Sequence, residues 1–266
     1  EQLYRILFKP DKNAPEYRAV VAAARQAQRA PLDLLKGAGA IASPYQFHWR
    51  RFLLEVFPRG TGFPRLDVPA LRDALPPADG VQAFSIDDSA TTEIDDALSV
   101  QGLGSGRVRF GIHIAAPGLA IVPDAPLDKL ARERLSTVYM PGWKITMLPD
   151  EVVQAFTLTE GRDCPAVSLY VTVDEATLEF SEPQTRLERV RIAANLRHDR
   201  LDAVVTEEAL AAVSAGTQAP EAAAFPFAAE LAFAHRFAQA LKAKREVVRG
   251  KPELFNRPDY AFRLER

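Results

Sequence analysis

Cysteine is almost absent from this chain. Cys164 stands alone among 266 residues, which excludes an internal disulfide and suits a reducing compartment. Long apolar runs are missing too: no stretch approaches the roughly 18 apolar residues that a membrane-spanning helix needs. The N-terminal EQLYRILFKPDKN also lacks the apolar core of a secretory signal. A cytoplasmic location without a membrane partner is therefore expected. Histidine is scarce, and His48, His113, His198 and His235 are too scattered for zinc-ligand spacing. A large excess of one charge is absent as well: the net charge of −2 rules out a uniformly basic nucleic-acid binder. What remains is an ordinary globular composition, 47% apolar and 26% charged, in a chain long enough for one large and one small domain.

The small net charge conceals an uneven distribution. Residues 1–65 hold 11 Lys and Arg against 5 Asp and Glu, and the rest of the chain carries the balance of −8. Five acids fall within residues 87–96. A basic module joined to an acid cluster suits a phosphate-bearing substrate cut with the help of bound cations, although local charge bias is common in proteins without that function.

Residues 1–65 read as helical. YRAVVAAARQAQRA (17–30) has helix-favouring composition with apolar positions three and four apart. Pro31 starts a second helix that Gly37 and Gly39 close, and YQFHWRRFLLEVF (45–57) is a third. Three helices with a basic face could form a helix-turn-helix or winged-helix, nucleic-acid-binding domain; a helical packing domain without a ligand fits equally. The Pro-rich residues 66–80 read as a linker. From Val81 the pattern turns to strands: 81–87, 96–103 and 106–115, the last two joined across Gly104-Ser105-Gly106. A helix over 127–135, strands over 166–174 and 178–193, and helices over 199–213 and 226–248 follow, with a small-residue loop at 215–226. The expected class is α+β, an antiparallel-sheet domain at 81–266 preceded by the helical one.

The most informative segment is Ser85-Ile-Asp-Asp-Ser-Ala-Thr-Thr-Glu-Ile-Asp-Asp-Ala-Leu98, which places acids in a turn between two apolar strands. Carboxylates at this density repel one another and push some pKa values up unless a cation is bound. Oxygen ligands, few in number and completed by substrate phosphate, are the usual magnesium arrangement. A solvated acidic loop is the common explanation of such a run, but apolar flanks weigh against it. A calcium loop would need the order D-x-[DN]-x-[DN]-G, which is absent.

The segment resembles the first signature of the ribonuclease II (RNB) family: Ile-Asp, an acid six residues on, then Asp-Asp-Ala. Asp87, Glu93, Asp95 and Asp96 take its four acidic positions. The resemblance continues in register through GIHIAAPG (111–118), STVYMPGWKITMLP (136–149) and LFNRPDYAF (254–262). It implies a magnesium-dependent exoribonuclease, with manganese as a substitute ion, that degrades single-stranded RNA processively from the 3′ end to nucleoside 5′-monophosphates. It further implies that Asp87 and Asp96 bind magnesium directly, while Asp95 and Glu93 hold the second metal or its waters. Tyr139 would stack on the RNA 3′ end, with Phe255 as a second ring across a one-residue gap. Tyr260 and Phe262 are expected to alternate into a sheet. The protein is expected to act as a monomer.

Departures from the family pattern are visible. Glu93 stands where the family usually has Asp, and Ala116 replaces an Asp. The N-terminus is helical where most members begin with small β-barrels. The chain stops at Arg266, ahead of the family's catalytic arginine motif and C-terminal RNA-binding barrel. A catalytically silent RNA-binding protein of the same fold is the alternative, and a transcription-type regulator rests only on the helical N-terminus.

Overall fold

The computed structural model describes residues 2–71, 73–217 and 225–253. The chain divides into two compact units, Glu1–Arg65 and Leu66–Arg266. The first holds four helices: α1 (Gln2–Phe8), α2 (Pro15–Gln26), α3 (Pro31–Gly37) and α4 (Pro44–Val56). One more helix is present than the sequence pattern suggested, because α1 is too short to show a period. Proline occupies the first turn of α2, α3 and α4, where its missing N–H costs nothing. Ser43 Oγ caps α4 by accepting from the Gln46 N–H at 3.1 Å. Tyr4, Leu35, Ile41 and Phe47 form the buried centre of this unit, with the Phe8 and Phe47 rings 5.1 Å apart.

The second unit is built on five strands: β1 (Ala83–Asp87), β2 (Asp96–Gln101), β3 (Arg107–Ala115), β6 (Asp163–Asp174) and β7 (Phe180–Arg197). Four neighbouring pairs in the order β1-β2-β3-β6-β7 are antiparallel. The sheet then closes on itself through a parallel β1–β7 pair, with Ser85 opposite Asn195 and Asp87 opposite Arg197. The antiparallel expectation thus holds for the meander, and the closing pair departs from it. Between β3 and β6 lie α5 (Pro126–Arg134), a hairpin of β4 (Val138–Met140) and β5 (Trp143–Ile145), and α6 (Asp150–Phe156). No strand was expected over 136–149, because strands of three residues are too short to show alternation. The helix expected over 199–213 is in fact two, α7 (His198–Leu201) and α8 (Glu207–Ser214). Thr206 starts the second by accepting from the Ala209 N–H at 3.1 Å, as an N-capping hydroxyl does. The long α9 (Ala228–Arg249) closes on Gly250, whose φ of 65° suits a helix terminus.

Alternation along the strands makes two different faces. Outward-facing Phe84, Leu98, Val108, Phe110 and Val173 pack under α8 and α9. Phe84 is fully buried and stacks on Phe227 at 4.7 Å, a burial worth about 2–3 kcal/mol. The inward face carries Val81, Ala83, Ala97, Ala166, Val190 and Ile192. Polar groups stand among them, with His113 opposite Ala97 and Glu188 opposite Ala166. The buried His113 ring lies between Ser168 Oγ, 2.8 Å from Nδ1, and Ser99 Oγ, 2.8 Å from Nε2. Tyr170 donates to Glu188 Oε1 at 2.6 Å, and the Arg109 guanidinium lies 3.5 Å above the Tyr170 ring. Gly111 is required here by close approach, since a methyl group at its position would meet Ser99 Oγ and stand 2.9 Å from both His113 Nε2 and Tyr170 Cε1.

Candidate active site

The acid turn caps one end of the barrel. Asp87 ends β1 and Asp96 begins β2, so both are carried on paired strands. The residues between them are fixed by hydrogen bonds to two other segments, the end of β3 and the residues just past α6. Leu158 donates to the Ile94 carbonyl at 2.9 Å, and Ala115, at the end of β3, donates to the Asp95 carbonyl at 2.8 Å. Thr157 Oγ1, just past α6, accepts from the Ile94 N–H at 2.7 Å. A turn tied by three hydrogen bonds to two segments holds its carboxylates in place despite their mutual repulsion.

Strand β7 supplies the rest of the support. Asn195 Nδ2 donates to Ser85 Oγ at 3.0 Å, and Ser85 Oγ donates to Asp87 Oδ2 at 2.6 Å. This relay orients one carboxylate from inside the barrel, where Ser85 is buried. Arg197 Nη1 donates to the carbonyls of Asp88 at 2.9 Å and Thr91 at 3.2 Å. It closes the turn and brings a positive charge among the acids. Ser85, Asn195, Arg197 and Thr157 were not singled out from the sequence. Thr157, Asn195 and Arg197 reach residues 85–94 across 63 to 110 positions, and no local pattern marks such pairs.

Asp95 feels the crowding most. Its carboxyl lies against the wall of a cleft although the residue keeps an exposed surface. That partial burial, followed by the charges of Glu93, Asp96 and Asp87, pushes its pKa up from the ordinary carboxylate value. The four carboxylates therefore lie within electrostatic reach of one another. They do not close on a single point: among the described residues, no three His, Cys, Asp or Glu side chains gather as a metal-holding group.

The cleft beside them has a volume of about 370 Å³. Glu93, Asp95 and Tyr139 line it together with an apolar wall that includes Met147, Leu148 and Phe156. Asp87 and Asp96 are not among its lining residues. Tyr139 sits on β4 with 72% of its surface exposed, as an open ring rather than a core residue. Ala116, where the family pattern has an acid, is buried and apolar. Phe255, together with Tyr260 and Phe262, lies outside the described residues.

Comparisons with known proteins bear on the family and the fold. The family model described as the RNB domain matches residues 78–266. Exoribonuclease 2 of Vibrio vulnificus is 35% identical over 118 residues, covering 44% of this chain and 18% of that protein. The chain spans less than a fifth of the length of the curated relatives it matches first. Among solved structures, RNase R of Mycoplasma genitalium in complex with ribose-methylated single-stranded RNA superposes with a TM-score of 0.54 at 14% identity, over 75% of this chain and 31% of that one. Yeast Ssd1, described as a pseudonuclease, gives 0.53 at 21% identity, over 71% of this chain and 21% of that one. At such identities the two structures bear on the fold.

Proposed function

The chain belongs to the RNB family, and from that premise we propose that it is a divalent-metal-dependent exoribonuclease that shortens single-stranded RNA from the 3′ end and releases nucleoside 5′-monophosphates. The observation that carries this reading is the acid turn itself: Asp95, whose pKa is raised by partial burial and then by the charges of Glu93, Asp96 and Asp87, lies beside a cleft whose rim presents an exposed tyrosine. Such a site favours a counter-cation and offers a platform for a base.

The donor set fits a hard cation, because Asp87, Glu93, Asp95 and Asp96 offer only oxygen. These four would hold magnesium, with manganese as a substitute. When bound, the ion stabilises charge on the phosphate oxygens and activates water. The chain's own residues do the positioning. Ser85 and Asn195 orient Asp87, while Arg197 holds the turn. Tyr139 receives the terminal bases by stacking, and Phe255 is assigned the second ring. Residues 1–65, joined through 66–80, add cationic grip on the RNA backbone. The protein acts in the cytoplasm as a monomer.

A catalytically silent RNA-binding protein is the second reading, favoured by the absence of a gathered three-acid group among the described residues. One experiment separates the two. The full protein is incubated with 5′-labelled and 3′-labelled RNA, with magnesium and with EDTA. Stepwise shortening from the 3′ end that needs magnesium supports the enzyme. RNA that is bound but never shortened supports the silent protein.

A further inference from the structure

Lys144 on β5 bridges the β4–β5 hairpin to the acid turn. Lys144 Nζ donates to Glu93 Oε1 at 2.6 Å and to Thr92 Oγ1 at 2.9 Å. Glu93 is only 14% exposed in this pair and Lys144 37%, so solvent screens the contact less than it would an open surface bridge. In the hairpin register Lys144 stands directly opposite Tyr139, whereas Trp143 is opposite Met140. Directly opposed residues of an antiparallel pair project from the same face. Tyr139 and Lys144 therefore share one face, and Lys144 ties that face to the acids. The longer side chain of Glu93, where the family pattern has an aspartate, gives the carboxylate one more methylene with which to reach the ammonium. The bridge links residues 51 positions apart and is additional to the two backbone strands of the hairpin.

We propose that Lys144 is a positioning residue: by pairing with Glu93 and Thr92 it latches the hairpin to the acid turn and so fixes the span between the Tyr139 ring and the carboxylates. This role rests on the RNA-degrading reading above. A base stacked on Tyr139 is delivered to the acids at a set distance only while the latch is closed. Long RNA, gripped at many phosphates, tolerates an open latch; RNA of a few nucleotides depends on it.

Two measurements on the full chain in EDTA test this, so that neither depends on catalysis. The chain has two tryptophans, and Trp49→Phe leaves Trp143 as the reporter of hairpin motion. Without RNA, Lys144→Met should enlarge the fast component of Trp143 anisotropy decay, while Lys144→Arg keeps the wild-type decay. An unchanged decay in Lys144→Met overturns the latch. With labelled RNA of about five nucleotides, Lys144→Met should weaken binding three- to tenfold. In a Tyr139→Ala background it should have no further effect, because Lys144 acts through that ring. Fully additive losses overturn the positioning role. A wild-type protein that binds no RNA overturns the functional reading instead, and the anisotropy result still decides whether the latch exists.

Discussion

Two polar clusters lie within the same barrel domain and are built on opposite principles. Inside the barrel, His113, Ser99, Ser168, Tyr170 and Glu188 are buried and bonded to one another. At its end, Asp87, Glu93, Asp95 and Asp96 share one sign of charge, and their backbone is anchored better than their carboxylates are neutralised. The first cluster meets the rule that buried polar groups find partners. The second leaves a debt of repulsion that folding elsewhere must cover, as sites with a function commonly do. The pKa shifts express the same contrast. Burial holds the His113 imidazole down at about 4, favouring its neutral form, whereas burial and like charges push Asp95 up. Interior substitutions should therefore alter stability, and end-of-barrel substitutions should alter chemistry.

The largest effect is expected from Asp96→Asn. Hydrolysis should fall about a thousandfold, ~4 kcal/mol in barrier terms, with RNA affinity in EDTA almost unchanged. Removing one of four repelling charges should leave the melting temperature the same or higher. A variant that keeps a tenth of the activity, or that melts several degrees lower, breaks the contrast.

The next effect concerns pH. Between the ordinary histidine value of 6.5 and about 4, the unfolded chain takes up a proton at His113 that the native barrel refuses. The stability that His113 contributes is thus complete above pH 6.5 and declines as pH falls towards 4. The loss is at most roughly 3 kcal/mol. Asp95 works in the opposite sense, since its raised value makes protonation favour the native state. Denaturant titrations across this range should show a downward slope on acidification that His113→Asn flattens. An equal slope in both proteins would remove His113 as its source.

Gly111→Ala comes third, at roughly 1–3 kcal/mol of stability, because its methyl group would press on the His113 and Tyr170 rings. The activity of the folded fraction should be retained. Loss of activity without loss of stability would mean that the interior network reaches the site electronically as well as mechanically.

The smallest effect is expected from Tyr139→Ala. Stacking contributes about 1–3 kcal/mol per base, and that matters once RNA is too short for outer contacts. Limit products should lengthen by a few nucleotides while the initial rate on long RNA falls only modestly. An unchanged limit product would place Tyr139 outside the RNA path, and a lower melting temperature would mean that it serves packing.

Legibility from sequence follows the range of the contacts. The acid turn could be read because its five acids lie within ten residues, and the strands around it because alternation is local. The support from Asn195 and Arg197 could not, since strand β7 meets β1 only through tertiary pairing. Alternation also fails to say which face is inside. In DALSVQ and RVRFGIHIA the apolar residues Leu98, Val108 and Phe110 lie under the outer helices, and Ser99 and His113 lie in the interior. The Lys144 contact was hidden for another reason: a lone lysine on a three-residue strand has no periodicity to mark it.

The parallel β1–β7 closure also has a consequence for biosynthesis. Ser85 and its partner Asn195 are 110 residues apart, and at about 5–20 residues per second a ribosome needs roughly 5–20 s to make the intervening chain. Throughout that interval β1 has no closing partner, and the nascent meander presents an open edge of the kind that invites pairing with other chains. Slow codons placed within residues 88–195 should therefore lower the soluble yield.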